Sequence, residues 1–221
     1  MTPQSSRLVK LVRIKRTDSR LLKDMAVHYS HPKGFVGRNI CYAVVVNAVY
    51  CGAIVGGSAT LHLVGRDAYF KLTRATKRIY LNNIVNNIFF HIEPRKGSRY
   101  PVRNIGQTVL KLFREIIQRD WQEKCGDKVI GFESLVELPR TGEVYKRDGW
   151  IEVGITKGYT CKRVAGKGTD SWSGKRVWDV KNLRPKRVFV KRVDIQVRRF
   201  PRLRIRRFPR LRERRGNYDR V

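Results

Sequence analysis

Between Gly106 and Glu123 the apolar residues Val109, Leu110, Phe113, Ile116, Ile117 and Trp121 recur at three- and four-residue spacing. That periodicity predicts one long amphipathic helix, which needs an apolar surface to cover. The rest of the chain offers strands for it. Leu8–Ile14 alternates apolar and basic residues, Ile40–Val46 and Val49–Val55 are β-type runs, and Lys128–Val136 is another. Asn47-Ala48 between the second and third runs predicts a hairpin. A helix from Arg20 to His28 is expected, capped by Asp18 or Ser19, with Leu21, Leu22 and Met25 turned inward. His28–Gly37 reads as a loop, Ala68–Leu72 as a short strand or helix edge and Ile79–Ile92 as a long strand. Glu143–Arg147 is a turn of helix, and Trp150–Ile155 and Val177–Val180 are late strands. The expectation is one mixed α/β domain spanning residues 1–180.

Charge decides the class of partner. The chain carries 49 Lys+Arg against 18 Asp+Glu, a formal net charge of +31. Such a surface concentrates polyanions, with nucleic acid first and an anionic membrane second. Against the membrane, the longest apolar stretch, Ile40–Gly57, is broken by Asn47 and glycines and falls short of a span of roughly 18 apolar residues. The basic N-terminus is not followed by an apolar signal core. Cys41, Cys51, Cys125 and Cys161 form no CxxC pair, which argues against zinc and against a disulfide scaffold. The expected setting is the reducing interior of a cell. The expected partner is double-stranded DNA, with RNA as the alternative, and no membrane or metal.

From Arg184 to Val221 there are sixteen Lys+Arg and three Asp+Glu, and RRFPRLR at Arg198–Arg204 repeats at Arg206–Arg212. Proline in each copy blocks a continuous helix. Residues 181–221 are expected to form an extended Arg-rich tail. Its Arg198, Arg199, Arg202, Arg204, Arg206, Arg207, Arg210 and Arg212 would hold nucleic-acid phosphates. A solvated tail without a specific task is the other reading.

Four groups of residues could carry chemistry. Arg103-Asn104-Ile105-Gly106-Gln107-Thr108 stands at the mouth of the long helix, where free N–H groups and the helix dipole favour an anion. Tyr145 lies four residues before Gly149-Trp150, as a reactive phenol or as a packed ring. Asn82, Asn83, Asn86 and Asn87 are poor strand formers. Placed as 82 with 86 and 83 with 87 on the two faces of a strand, they would read base edges or serve a bulge. Glu133 and Ser134 are candidates to orient an acceptor amine or a water, against the alternative of a buried, paired glutamate. His28 and His31 make only a weak metal pair, with no third ligand nearby.

The element order and the two strings, Arg103-x-x-Gly106 before the helix and Tyr145-x-x-x-Gly149-Trp150, resemble the GNAT acyltransferase superfamily. The resemblance implies a central mixed, mostly antiparallel sheet flanked by helices. It implies an acyl-CoA or related donor, with Arg103, Asn104, Ile105, Gly106, Gln107 and Thr108 against its pyrophosphate. Thr108 stands where that family has Gly or Ala, which would bring a β-branched side chain into the space. Tyr145 would protonate the departing thiolate, a role that suits a phenol of ordinary pKa about 10. Over residues 28–160, His28-Tyr29, Gly37-Arg38, YLNNIVNNIFFHI, Pro101–Gly106 and TGEVYKRDGW are similar to phage Mom-type DNA-modification enzymes and to the domain of DruA proteins of Druantia anti-phage systems. That implies a bacterial or phage-encoded protein of the bacterial cytoplasm that transfers a small acyl or carbamoylmethyl-like group to a base, adenine, in DNA. His28 and Tyr29 would then lie near the acceptor cleft. Two other functions stay open. One is a non-catalytic nucleic-acid-binding protein on a degenerate acyltransferase-like fold. The other, an acetyltransferase of basic proteins, is disfavoured because a +31 enzyme repels cationic substrates.

Overall fold

In a computed structural model, the residues described are 9–28, 35, 37–93, 104–158, 160–164, 175–179 and 183–193. β1 (Val9–Ile14), β2 (Asn39–Val46), β3 (Val49–Ser58) and β4 (Ile84–Ile92) form an antiparallel meander. The long helix, called α4 below, leads from β4 to β5 (Gly131–Glu137), which runs parallel to β4. The seven-stranded sheet has the order β1-β2-β3-β4-β5-β9-β6, with β6 at Ile151–Ile155 and β9 at Lys186–Arg192. β7 (Thr160–Val164) and β8 (Lys175–Asp179) pair only with each other. This is the mixed, mostly antiparallel sheet flanked by helices that the sequence leads one to expect.

Strand alternation builds a core on each face. Ile40, Tyr42 and Val44 of β2 point to Leu110, Phe113, Ile117 and Trp121 of α4 (Ile105–Cys125). Their neighbour Cys41, with Ala53 and Val55 of β3, meets Leu21 and Met25 of α1 (Ser19–His28) on the other face. Asp18 caps α1, its Oδ1 accepting the Arg20 N–H at 3.0 Å. Leu22, expected inside, is 46% exposed because α1 buries one residue per turn. α2 (Val64–Phe70) and α3 (Arg74–Tyr80) cross between β3 and β4, and α2 packs over Val188 and Val190 of β9. α5 (Glu143–Arg147) lies beside α4, tied to it by the double bond of Arg114 to Asp148, at 3.1 and 2.8 Å.

Two expectations need correction. Ile79 and Tyr80 end α3, a 3₁₀ turn spans Leu81–Asn83, and β4 starts only at Ile84. Ala68–Leu72 takes the helix-edge alternative, at the end of α2. The late strand expected at Val177–Val180 is β8, in the separate hairpin. The boundary at residue 180 is also displaced: β9, inside the segment read as tail, sits between β5 and β6 in the middle of the main sheet. Its Val188-Phe189-Val190 core is buried, and the basic flanks had hidden that pattern. The tail arginines from Arg198 to Arg212 lie outside the described residues.

The β2–β3 hairpin turns on Asn47 (φ 50°) and Ala48 (φ 65°), both left-handed. Asparagine tolerates that region, whereas alanine strains in it. Ala48→Gly is therefore expected to stabilise the fold by about 0.5–1 kcal/mol, read as a higher urea midpoint at constant m-value.

Candidate active site

β4 and β5 pair over only four residues each, Ile84–Asn87 with Gly131–Ser134. Beyond that point β4 follows β3 and β5 follows β9. The parting opens a cleft of about 790 Å³ in the middle of the sheet. Asn86 and Asn87, Ser134, Tyr145, His28 and His91 reach its wall from four elements. The structure thus gathers Tyr145, His28, Asn86 and Asn87 into one place. Tyr29 lies outside the described residues.

Tyr145 is buried at the base of α5, stacked on Phe189 at 5.4 Å and set edge-on to Trp150 at 5.1 Å. Gly142 caps α5 at φ 71°, and a Cβ there would run into the Phe189 ring, so glycine is required for this seating. The Tyr145 hydroxyl donates to Asn87 Oδ1 at 2.6 Å, and burial pushes the phenol well above its ordinary range. It remains protonated at any physiological pH.

Asn87 has a structural task. β4 carries one extra residue, Ile88, opposite the Val55/Gly56 step of β3. At this bulge Asn87 Nδ2 donates to the carbonyls of Val55 and Phe89, at 3.1 and 3.0 Å. Asn83 donates to the Lys128 carbonyl at 2.7 Å, and the Asn82 carbonyl accepts from Trp121 Nε1 at 3.1 Å. Both stand in the 3₁₀ turn rather than on the strand, so the expected two-faced asparagine ladder does not form. Asn86 alone of the four lines the cleft with an amide atom unused among the described residues.

Of the two roles open to Glu133, the structure favours the buried pair. Glu133 and Arg66 are both fully buried; Arg66 Nη1 donates to Glu133 Oε2, and the Thr60 N–H donates to Oε1 at 2.6 Å. Arg66 also reaches the Thr60 carbonyl and Asp67 Oδ1, both at 2.7 Å. Burial raises the Glu133 pKa, and the Arg66 charge and the Thr60 amide oppose it. Arg66 was missed in the sequence because a lone arginine on a short helix carries no signal of burial. His28 stacks on His91 at 3.8 Å, and burial followed by the His28 charge lowers the His91 pKa. His91 was also missed; the strand run containing it was read only for its asparagines.

A second hollow of about 270 Å³ lies at the start of α4, lined by Asn104–Gln107 with Val144 and Arg147 of α5. Asn104 takes a left-handed conformation (φ 58°) and gives α4 no side-chain cap. Among the described residues the N–H groups of Ile105, Gly106 and Gln107 have no partner, as the first turn of a helix leaves them. Thr108 lies outside the hollow, exposed, with its hydroxyl 3.4 Å from the Asn104 carbonyl, so it does not crowd an anion there. Gly106 is needed for another reason: a Cβ would come within 2.6 Å of Val144 Cγ2, against α5. Gln107 Nε2 donates to the Arg147 carbonyl at 2.8 Å. Arg103 lies outside the described residues. The hollow combines the N–H groups of a helix start with a neighbouring arginine, an arrangement that favours an anion.

Among the described residues no group of three His, Cys, Asp or Glu is placed to hold a metal, and no helix is long and apolar enough to cross a membrane. No curated protein matches the sequence. Solved structures with a similar arrangement include RimL, a ribosomal L7/L12 alpha-N-protein acetyltransferase, at 9% identity and TM-score 0.46, covering 86% of this chain and 96% of that one. The IAA acetyltransferase from Bacillus cereus is 12% identical at TM-score 0.46, over 84% of this chain and 100% of that one. Arabidopsis thaliana NAA60, in complex with a bisubstrate analogue, is 12% identical at TM-score 0.46, over 85% and 99%. The family described as Druantia protein DruA matches residues 2–163 of the 221, and the chain belongs to that family.

Proposed function

We propose that this protein transfers a small acyl or carbamoylmethyl-like group from an acyl-CoA or related donor to a base in double-stranded DNA, adenine first among them. One observation carries the reading. The anion hollow at the start of α4 and the cleft between β4 and β5 meet across α5, and Val144 faces both. A donor with a phosphorylated handle and a reactive end could lie along that path. When bound, a coenzyme A thioester supplies the activated acyl group. Ile105, Gly106 and Gln107 would hold its pyrophosphate through their N–H groups, with Arg147 alongside. Tyr145 holds a proton at its hydroxyl, which must turn from Asn87 Oδ1 to be given to a leaving group. Burial of the Tyr145 side chain, 5% exposed, keeps most bulk water from that proton.

The nucleic-acid half of the proposal draws on the net charge of +31 and on the resemblance to Mom-type enzymes. It is also supported by a hollow of about 410 Å³ lined by Arg13, Lys15, Arg16 and Lys124, at the far end of α4 from the anion hollow. Phosphate contacts of this kind release counterions, so DNA affinity should fall steeply with salt. A second reading, a nucleic-acid-binding module without catalysis, is favoured by one fact: the Tyr145 hydroxyl is already committed to Asn87.

The test has two arms. Coenzyme A titrated into the full chain by calorimetry should bind, and Arg147→Glu should weaken it about tenfold or more by replacing an attractive charge with a repulsive one. Nucleosides from the DNA of cells expressing the protein should include a mass-shifted deoxyadenosine. Unmodified nucleosides together with absent coenzyme A binding would leave the binding module as the better account.

A further inference from the structure

We infer that Asn86 Oδ1 accepts a hydrogen bond from an amino group on the acceptor, so that the cleft selects a nucleobase with its exocyclic NH₂ at the position of adenine N6 or cytosine N4. The inference rests on the proposed transfer to nucleic acid and names the group that would choose the base. Asn86 is only 6% exposed. Its Nδ2 lies 3.4 Å from Thr60 Oγ1, while its Oδ1 is one of two buried side-chain polar atoms without a partner among the described residues. Leaving a buried acceptor without a donor costs stability, and folded proteins rarely tolerate it without a use.

The surroundings hold this amide in place. Asn86 sits in register with Glu133 on the parallel strand, next to the buried Arg66 pair. Thr60, its neighbour, is pinned twice, by its N–H to Glu133 and by its carbonyl to Arg66. The adjacent Asn87 is spent on the bulge and on Tyr145, so it cannot share the task. A cleft of about 790 Å³ is large enough for an extruded base. An amide oxygen there accepts from the amino group of adenine or cytosine. At that ring position thymine and guanine carry a carbonyl oxygen instead, which repels the amide oxygen; the amino group of guanine sits at C2, on the other side of its ring N–H. Sites of this type discriminate strongly because the mismatch strands a buried polar group.

The experiment compares 2′-deoxyadenosine with purine 2′-deoxyriboside, which lacks the amino group and every base N–H. Affinities of the full chain for both are measured by NMR titration, alongside urea unfolding and coenzyme A binding. The wild-type protein should prefer deoxyadenosine by about tenfold. Asn86→Leu should lose that preference while unfolding at the same urea concentration or higher, because the stranded oxygen is gone. Asn86→Ala, which cannot overfill the site, should lose the preference too. Equal binding of the two nucleosides by the wild type, or a preference that survives both substitutions, overturns the assignment. So does a lowered urea midpoint in both variants beyond the loss of contact area, since Oδ1 would then serve the fold. Coenzyme A separates the two proposals. A protein that discriminates the nucleosides but ignores coenzyme A sinks the transfer reading and keeps Asn86; the reverse pattern sinks only the role of Asn86.

Discussion

Replacing Arg66 with methionine is expected to destabilise the protein by about 3–5 kcal/mol, because it leaves the Glu133 carboxylate buried with no countercharge. The carboxylate would keep only the Thr60 N–H, and the Thr60 carbonyl and Asp67 would lose their guanidinium donors as well. Urea unfolding at pH 7 measures the loss. Arg66→Met with Glu133→Leu should recover most of it, since an apolar pair of similar volume avoids both desolvation costs. The single variant should also respond to pH in a defined direction. Without Arg66 the folded-state pKa of Glu133 rises further above its unfolded value. A raised carboxyl pKa penalises folding above that unfolded value, and the penalty fades as pH falls toward it. The deficit of the variant should therefore shrink between pH 7 and about pH 4.5. A deficit independent of pH would mean that Arg66 acts by packing rather than by charge.

Tyr145→Phe is expected to slow group transfer by about 10²–10⁴-fold if the phenol is the general acid. The structure adds a second effect. Removing the hydroxyl strands Asn87 Oδ1 inside the sheet, so the variant should also lose about 1–3 kcal/mol of stability. The melting temperature alone is thus no control for the chemistry. Single-turnover transfer to a DNA fragment, measured well below the melting transition, separates the two effects. Asn87→Leu supplies the comparison, because it disturbs the same bond and the bulge while keeping the phenol. A rate loss confined to Tyr145→Phe places the proton on the phenol. Equal losses in both variants make Tyr145 a packing residue that steadies the cleft.

Local order was written plainly in the chain. The three- and four-residue apolar spacing of Val109–Trp121 encodes α4 because one helix face must meet the sheet. The runs on either side of Asn47-Ala48 give the hairpin, and Gly142 with Gly149 brackets α5. The segment from Ile79 to Asn83 was misjudged for a related reason. Its apolar and aromatic residues suit a strand, yet the Thr73 capping box starts a helix that runs to Tyr80. β9 was obscured because Lys and Arg flank its three apolar residues. Only the long-range pairing with β5 and β6 shows that this charge sits at the rims of a buried strand.

The sequence by itself determined the long helix, the antiparallel meander, the phenol ahead of a Gly-Trp turn and the net charge of +31, because each follows from spacing or composition within one stretch of chain. What each polar side chain does was decided by tertiary structure alone. Asn83 and Asn87 look alike in sequence to Asn86. One cross-bonds a loop carbonyl, one closes a bulge, and one keeps a free oxygen beside the cleft. Glu133 could be catalytic or paired until Arg66, sixty-seven residues earlier, was placed against it. Burial and partners come from contacts between distant segments, and a hydrogen bond that spans the fold leaves no periodic mark along the chain.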